Sequence, residues 1–312
     1  MNSPCIVGLD IGGTKTAAVR GLSEGKILWR KEIPTRAGRG FEAVFEDITA
    51  LVADALMTSA AAPVALSVSI GGPLDVLRGI ILGPPNLPGW KDVPLKTLLA
   101  ERFRLPVYIE HDGNAGALAE FFYGAGRGYR NIVFVTMGTG FGAGIILDGK
   151  LYRGTNDVAG EIGHIRIAED GPLCYGKRGS LEGFGSGNGI ALLASEMYPR
   201  IWGKETTVIA LYDSFRAGSA EARAVFDRAA LHLGRGLAIL ADILNPQRII
   251  LGGLGMRMPE ALVEPARKVF EDEALPEARK VCEIVPAELG EAIGDFASIC
   301  AALDQGRLLN KR

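Results

Sequence analysis

The chain has 312 residues, 48% of them hydrophobic, and a formal net charge of −2. That length admits two domains with substantial cores, and the balanced charge excludes a broad nucleic-acid or anionic-membrane face. Four cysteines without paired spacing exclude a disulfide scaffold and favour a reducing compartment.

Residues Ile6 to Val19, IVGLDIGGTKTAAV, read as strand, tight Gly-Gly turn, strand. Within the turn Asp10, Gly12, Gly13, Thr14 and Lys15 gather a carboxylate, two glycines, a hydroxyl and a cation. Two readings stand: an ordinary glycine turn, or a loop whose N–H groups and Thr14 hydroxyl donate to a phosphate. Asp10 repels phosphate but can hold a hydrated Mg²⁺ that binds it. No basic region precedes the first apolar run, as it would in a secretory signal, and no stretch nears the ~18 apolar residues of a membrane span. A cytoplasmic protein is expected, with no membrane partner. The first strand starts too early to leave room for a helix-turn-helix, so no nucleic-acid partner is expected either.

Lys26–Ile33 reads as a third strand, and residues 41–60 as an amphipathic helix with Phe41, Val44, Phe45, Ile48, Leu51, Val52 and Leu56 at helical spacing. A buried strand, Val64–Ile70, then runs into Gly71-Gly72-Pro73, a strand-to-glycine junction of the kind that presents loops to ligands in α/β sheets. The stiff stretch Gly83–Trp90 is either a surface connection or the lip of a small-molecule cleft with Asn86 as a hydroxyl partner. A helix is predicted over Leu95–Phe103, a strand over Val107–Glu110 and a helix over Ala115–Tyr123. Asp112 falls where strand gives way to helix. It either caps the helix or serves as a general base.

Ile132–Ile145, IVFVTMGTGFGAGI, repeats the opening pattern, and without gaps Ile6 falls on Ile132 and Gly12 on Gly138. Two related lobes, each offering a glycine hairpin to one nucleotide, would produce such an echo. Further on, Glu161, His164 and Glu182 lie in glycine-rich surroundings. They form a hydrogen-bonding set for a polyol, or are separately solvated surface groups. Ser186 is placed to cap a helix near Gly189. A long helix over Ala220–Ile243 contains Gly234 and Gly236 and stops at Asn245-Pro246. Strand Arg248–Leu251 leads into Gly252-Gly253-Leu254-Gly255, where a flat adenine could lie on exposed backbone. A helix follows near Pro259, and a last one over residues 295–309 packs back on the first domain.

Taken together, Asp10–Thr14, Glu110-His111-Asp112, Met137–Gly140, Gly160–His164, Gly179–Glu182 and Leu251–Gly253 resemble, in order and across the whole chain, the motifs of the ROK family (repressor, open reading frame, kinase). The resemblance implies an α/β fold of two ribonuclease-H-like domains of the actin-like ATPase type with a cleft between them. The expected division is 1–115 with 295–312 returning to it, and 116–294. It also implies a homodimer that binds a sugar and ATP with Mg²⁺. Asp112 matches the catalytic base. Asp10, Gly12, Gly13 and Thr14 match the first phosphate loop, with Lys15 beside it. Gly138, Thr139 and Gly140 match the second loop, and Gly252 and Gly253 the adenosine loop. Gly71, Asn86, Glu161, His164 and Glu182 match sugar-contacting positions. The expected activity is phosphorylation of a hexose primary hydroxyl, glucose first. N-acetylglucosamine, N-acetylmannosamine, mannose, fructose and allose stay open as substrates, as does a catalytically silent sugar sensor.

Two departures stand out. Many relatives bind zinc through the histidine of the Gly160–His164 segment and three cysteines, but those cysteine positions here hold Leu173, Tyr175 and Ser180, and Cys174 is out of register. One imidazole cannot close a tetrahedral site, so no zinc is expected and Tyr175 is the candidate plug. His111 stands where the family commonly has an asparagine facing the sugar.

Overall fold

The computed structural model describes residues 3–58 and 61–308, and they form two compact units. The first takes the chain up to Tyr123, the short segment Arg153–Asp157, and the chain from Glu291 onward. The second takes Gly124–Tyr152 and Val158–Gly290.

In the first unit a five-stranded sheet is built from β1 (Cys5–Ile11), β2 (Lys15–Leu22), β3 (Ile27–Pro34), β4 (Pro63–Ile70) and β8 (Val107–His111). Its order is β3-β2-β1-β4-β8. β1, β4 and β8 are parallel, β2 runs antiparallel to β1, and β3, antiparallel to β2, runs with β1 again. A parallel core strand is buried on both faces, and β1 reads as a near-continuous apolar run for that reason. Val7, Leu9 and Ile11 point into a core with helix α1 (Phe41–Leu56), whose Val44, Ile48, Leu51 and Val52 recur at helical spacing. The predicted C-terminal end of that helix, Ser59 and Ala60, lies outside the described residues. Helix α2 (Leu95–Phe103) adds Leu95 and Leu99 to the same core.

The opposite face of β1 is occupied by helix α11 (Ile293–Gln305), which also packs on α3 (Asp112–Tyr123). Contact is close: a Cβ on Gly8 would stand 2.9 Å from Ile299 Cγ2, so only glycine fits there. The helix starts at Ile293 and ends at Gln305, short of the predicted end at 309; of the predicted span only Leu309 lies outside the described residues. A small sheet of β5 (Leu74–Asp75), β6 (Ile80–Leu82) and β7 (Lys91–Val93) precedes α2. Trp90, expected on either a surface connection or a cleft lip, is fully buried and meets Phe41 edge-on at 5.0 Å. It anchors the proline-rich loop from below, leaving Asn86 exposed.

The second unit repeats the strand order. β9 (Ile132–Met137), β10 (Phe141–Leu147), β11 (Lys150–Leu151), β14 (Arg248–Leu251) and β15 (Glu283–Pro286) form the sheet β11-β10-β9-β14-β15. β9 and β10 thus occupy the places that β1 and β2 hold in the first sheet, as the sequence echo suggests. A two-stranded hairpin of β12 (Leu173–Cys174) and β13 (Lys177–Arg178) precedes the helices α4 (Leu181–Gly185), α5 (Gly187–Met197) and α6 (Val208–Arg216). The 25-residue helix α7 (Ala220–Leu244) is the spine of this core. Its two glycines let neighbours approach: a Cβ would stand 2.6 Å from Val269 at Gly234 and 2.7 Å from Leu181 at Gly236. Asn245, at φ +43, ends it before Pro246. α8 (Leu254–Arg257), α9 (Glu264–Glu273) and α10 (Pro276–Val281) complete the unit. Among the described residues no helix is long and apolar enough to cross a membrane.

Candidate functional site

In the first unit the candidate residues collect at the C-terminal edge of the parallel strands. Register places Asp10 beside Ser69 and Ser69 beside Glu110, and one step further Ile11 beside Ile70 and Ile70 beside His111. Strand ends in such sheets free their loops to meet ligands. Asp112 opens α3 rather than preceding it, because the helix begins three residues earlier than the apolar pattern indicates. Its Oδ1 accepts from the Gly113 N–H at 2.7 Å, and its side chain is 54% exposed, so a carboxylate oxygen faces solvent. A Cβ on Gly71 would stand 3.7 Å from Asp112 Oδ2, and one on Gly72 2.6 Å from His111 Cδ2; these glycines bring the β4 loop against both side chains. His111 Nδ1 lies 3.1 Å from Asp112 Oδ1.

Asp10 shares this edge. Burial, and then the charge of Asp112, push its carboxyl up to about 7, against a lowering hydrogen bond from Ser69. The charge of Asp112 disfavours ionisation of Asp10, and a cation beside Asp10 would favour it. The residues therefore fit a divalent ion that arrives with a polyphosphate. Among the described residues no group of three or more acids, histidines or cysteines is placed to hold a metal alone. Protein would supply one carboxylate, Asp10, and phosphate and water the remaining oxygens, as Mg²⁺ prefers.

The Gly12–Lys15 turn closes with Gly12 N–H donating to the Lys15 carbonyl at 3.0 Å. Gly13 lies on Asn86: a Cβ would stand 2.7 Å from the Asn86 carbonyl oxygen. The turn and the proline-rich loop, distant in sequence, are thus brought together. Thr14 is exposed, and Lys15 reaches Glu32 at 3.3 Å across the β2–β3 edge.

Behind Asp112 is a network that sequence reading passed over. Glu110 is wholly buried. Its carboxylate accepts from Arg153 Nε at 2.9 Å and Nη2 at 2.7 Å, from Asn114 Nδ2 at 3.0 Å and from the His111 N–H at 3.1 Å. Arg153 also donates to Asp304 at 2.7 Å.

In the second unit the exposed turn Gly138–Gly140 closes through Gly138 N–H to the Gly140 carbonyl at 3.0 Å. The Gly252-Gly253 loop lies against it. Gly253, at φ +57, would place a Cβ 2.8 Å from the Met137 carbonyl carbon. Glu182 comes to the same hairpin, accepting from the Phe141 N–H at 3.2 Å. Glu161 precedes the single helical turn Ile162–His164, which packs against Glu182 through Gly163. The imidazole of His164 is stacked on Tyr175 with ring centroids 3.5 Å apart and planes inclined by 20°, and the Tyr175 hydroxyl donates to Glu182 Oε2. This donor set does not fit zinc: the neighbours of His164 are a phenol, a carboxylate and the Lys177 ammonium, which donates to its carbonyl.

Two sheets of one strand order, each with a glycine turn in its β1–β2 or β9–β10 hairpin, are those of the actin-like ATPase fold, with a ribonuclease-H-like core in each unit. Comparison narrows the class: the ROK family profile matches residues 6–301, and the chain belongs to that family. A glucokinase of Halalkalibacterium halodurans is 35% identical over 94% of this chain and 93% of its own. The ROK hexokinase of Thermus thermophilus superposes with a TM-score of 0.84 at 32% identity, over 97% of this chain and 99% of its own. A ROK family glucokinase of Streptomyces griseus, solved with glucose and AMPPNP, gives 0.79 at 32% identity over 97% and 99%.

Proposed function

We propose that this chain is an ATP-dependent kinase that phosphorylates the primary hydroxyl of a hexose, with glucose the first candidate. The observation that carries the reading is Asp112: an accessible carboxylate at the strand edge, beside Asp10 and the glycine loop at Gly71, in a family whose 32%-identical member was solved with a sugar and an ATP analogue.

The chemistry follows from the residues. Asp112 accepts the proton of the sugar hydroxyl as its oxygen attacks the γ-phosphorus. The new O–P bond forms as the bond to the β-phosphate oxygen breaks, leaving ADP. With the Gly12 and Gly138 N–H groups closing their turns, the N–H groups of Gly13 and Thr14 and of Thr139 and Gly140 hold phosphate oxygens, and Gly252-Gly253 offers flat backbone to the adenine. Glu161, His164, Glu182, Asn86 and His111 hold the sugar hydroxyls. Mg²⁺, when bound with the nucleotide at Asp10, supplies neutralisation of phosphate charge. Catalysis on this reading is positioning plus one proton transfer.

The test is ADP release with ATP and Mg²⁺ against a panel of glucose, mannose, fructose, allose and the N-acetylhexosamines. Turnover on one sugar is expected, falling about 10²–10⁴-fold in Asp112→Asn with sugar binding retained. Near-normal turnover in that variant removes Asp112 from the role of base, and no turnover on any sugar removes the kinase reading.

A further inference from the structure

Tyr175 occupies a backbone conformation that its residue type disfavours. It stands at φ +53 and Gly176 at φ +72, the two central residues of the β12–β13 turn. Turns with both central residues left-handed draw asparagine, aspartate and glycine, and a bulky residue persists there only where its contacts hold it. The contacts are specific. The ring lies flat on His164, the hydroxyl donates to Glu182, and Lys177 from the same hairpin donates to the His164 carbonyl. One side chain thus joins the His164 turn to the first turn of α4. His164 is exposed and Glu182 only partly buried, so neither is fixed by packing alone.

We propose that Tyr175 is a positioning residue that clasps His164 and Glu182 in the one arrangement that selects the substrate. This rests on the reading that those two side chains hold a polyol. The phenol uses one oxygen of Glu182 and one face of His164. Glu182 Oε1 and the edge of the imidazole are left to meet neighbouring hydroxyls. Holding both groups before the ligand arrives saves the ordering entropy of two side chains, which appears as tighter binding rather than faster chemistry.

Two measurements test it together. The chain has three histidines, so its imidazole signals are few enough to assign with His164→Asn. In carbon–proton spectra of the whole protein the His164 signal is expected to carry a ring-current shift that persists in Tyr175→Phe and is lost in Tyr175→Ala. An unshifted signal in the unaltered protein overturns the clasp, whatever the enzyme does. In kinetics, Tyr175→Ala is expected to raise the sugar KM about tenfold or more, with kcat within about threefold and the ATP KM unchanged. Tyr175→Phe, which keeps the stack, falls between. An unchanged sugar KM in Tyr175→Ala overturns the proposal, as does a lowered one in Tyr175→Phe, which would make the phenol a competitor of the sugar for Glu182. If the unaltered protein transfers no phosphate, the kinase reading fails on its own. The same comparison then runs on sugar Kd by calorimetry, and absence of all sugar binding overturns both.

Discussion

Arg153 pairs with the buried carboxylate of Glu110, and replacing it gives a sharp test of how the base is held. Glu110 is wholly buried, and of its donors among the described residues only Arg153 is charged, through two nitrogens at 2.9 and 2.7 Å. Arg153→Met keeps the aliphatic stem and removes both bonds. Asn114, Gln305 and the His111 N–H remain, at 3.0, 3.3 and 3.1 Å. Breaking a buried pair by deleting one partner costs about 3–5 kcal/mol, because the other charge is left uncompensated. Three surviving neutral donors place this case near the lower end, at about 3 kcal/mol. Asp304 is partly exposed and adds little when it loses the same arginine. The assay is urea unfolding at neutral pH in a Trp202→Phe background, where Trp29 and Trp90 report on the first unit. Glu110→Gln in the same chain should recover part of the loss, with a coupling of about 1–3 kcal/mol in the double-mutant cycle. Turnover should also fall, since Glu110 accepts from the N–H of the residue next to Asp112. A change below about 0.5 kcal/mol, or strictly additive single effects, would refute the reasoning.

His232 on α7 is buried against Phe184, ring centroids 4.0 Å apart, and burial followed by Arg235 and Arg228 pushes it down to about 4. The unfolded chain takes up its proton near pH 6.5, so this site favours folding above that pH. The contribution fades as pH falls toward 4, by about 3 kcal/mol in all; His232→Phe should flatten the urea midpoint between pH 7.5 and 5, and an unchanged slope counts against it. Gly253→Ala should lose about 1–3 kcal/mol through its left-handed backbone and its approach to Met137. It should also raise the ATP KM with the sugar KM held, while wild-type stability together with a wild-type ATP KM would detach Gly253 from both roles.

Local patterns were legible where one residue type dictates geometry. The two glycine hairpins could be read from apolar alternation broken by glycines, and Asn245-Pro246 marked the end of α7. Trp90 was not legible: its flanking prolines and glycines look like surface, and only packing against Phe41 shows it as core. Nor was the Glu110–Arg153 pair, since nothing along 43 residues tells which arginine a buried acid will meet. Tyr175 could be named as filling a thiolate position, but its stack on His164 depends on a left-handed turn that tyrosine itself does not signal. The start of α3 was misplaced because Asp112 and Gly113 are poor helix formers that tertiary contacts carry into the helix.

The place of α11 bears on how the chain is made. The first unit needs this helix against β1, β4 and α3, yet the helix is encoded beyond the whole of the second unit. At about 5–20 residues per second a ribosome takes on the order of 10–30 s to cover the intervening stretch. For that time the α11 face of β1, with Ile6, Gly8 and Asp10, emerges without its cover. The second unit has its own elements in hand before the first can close. The first unit is therefore completed only after the second has been synthesised, and a chaperone has a defined surface to shield during the wait.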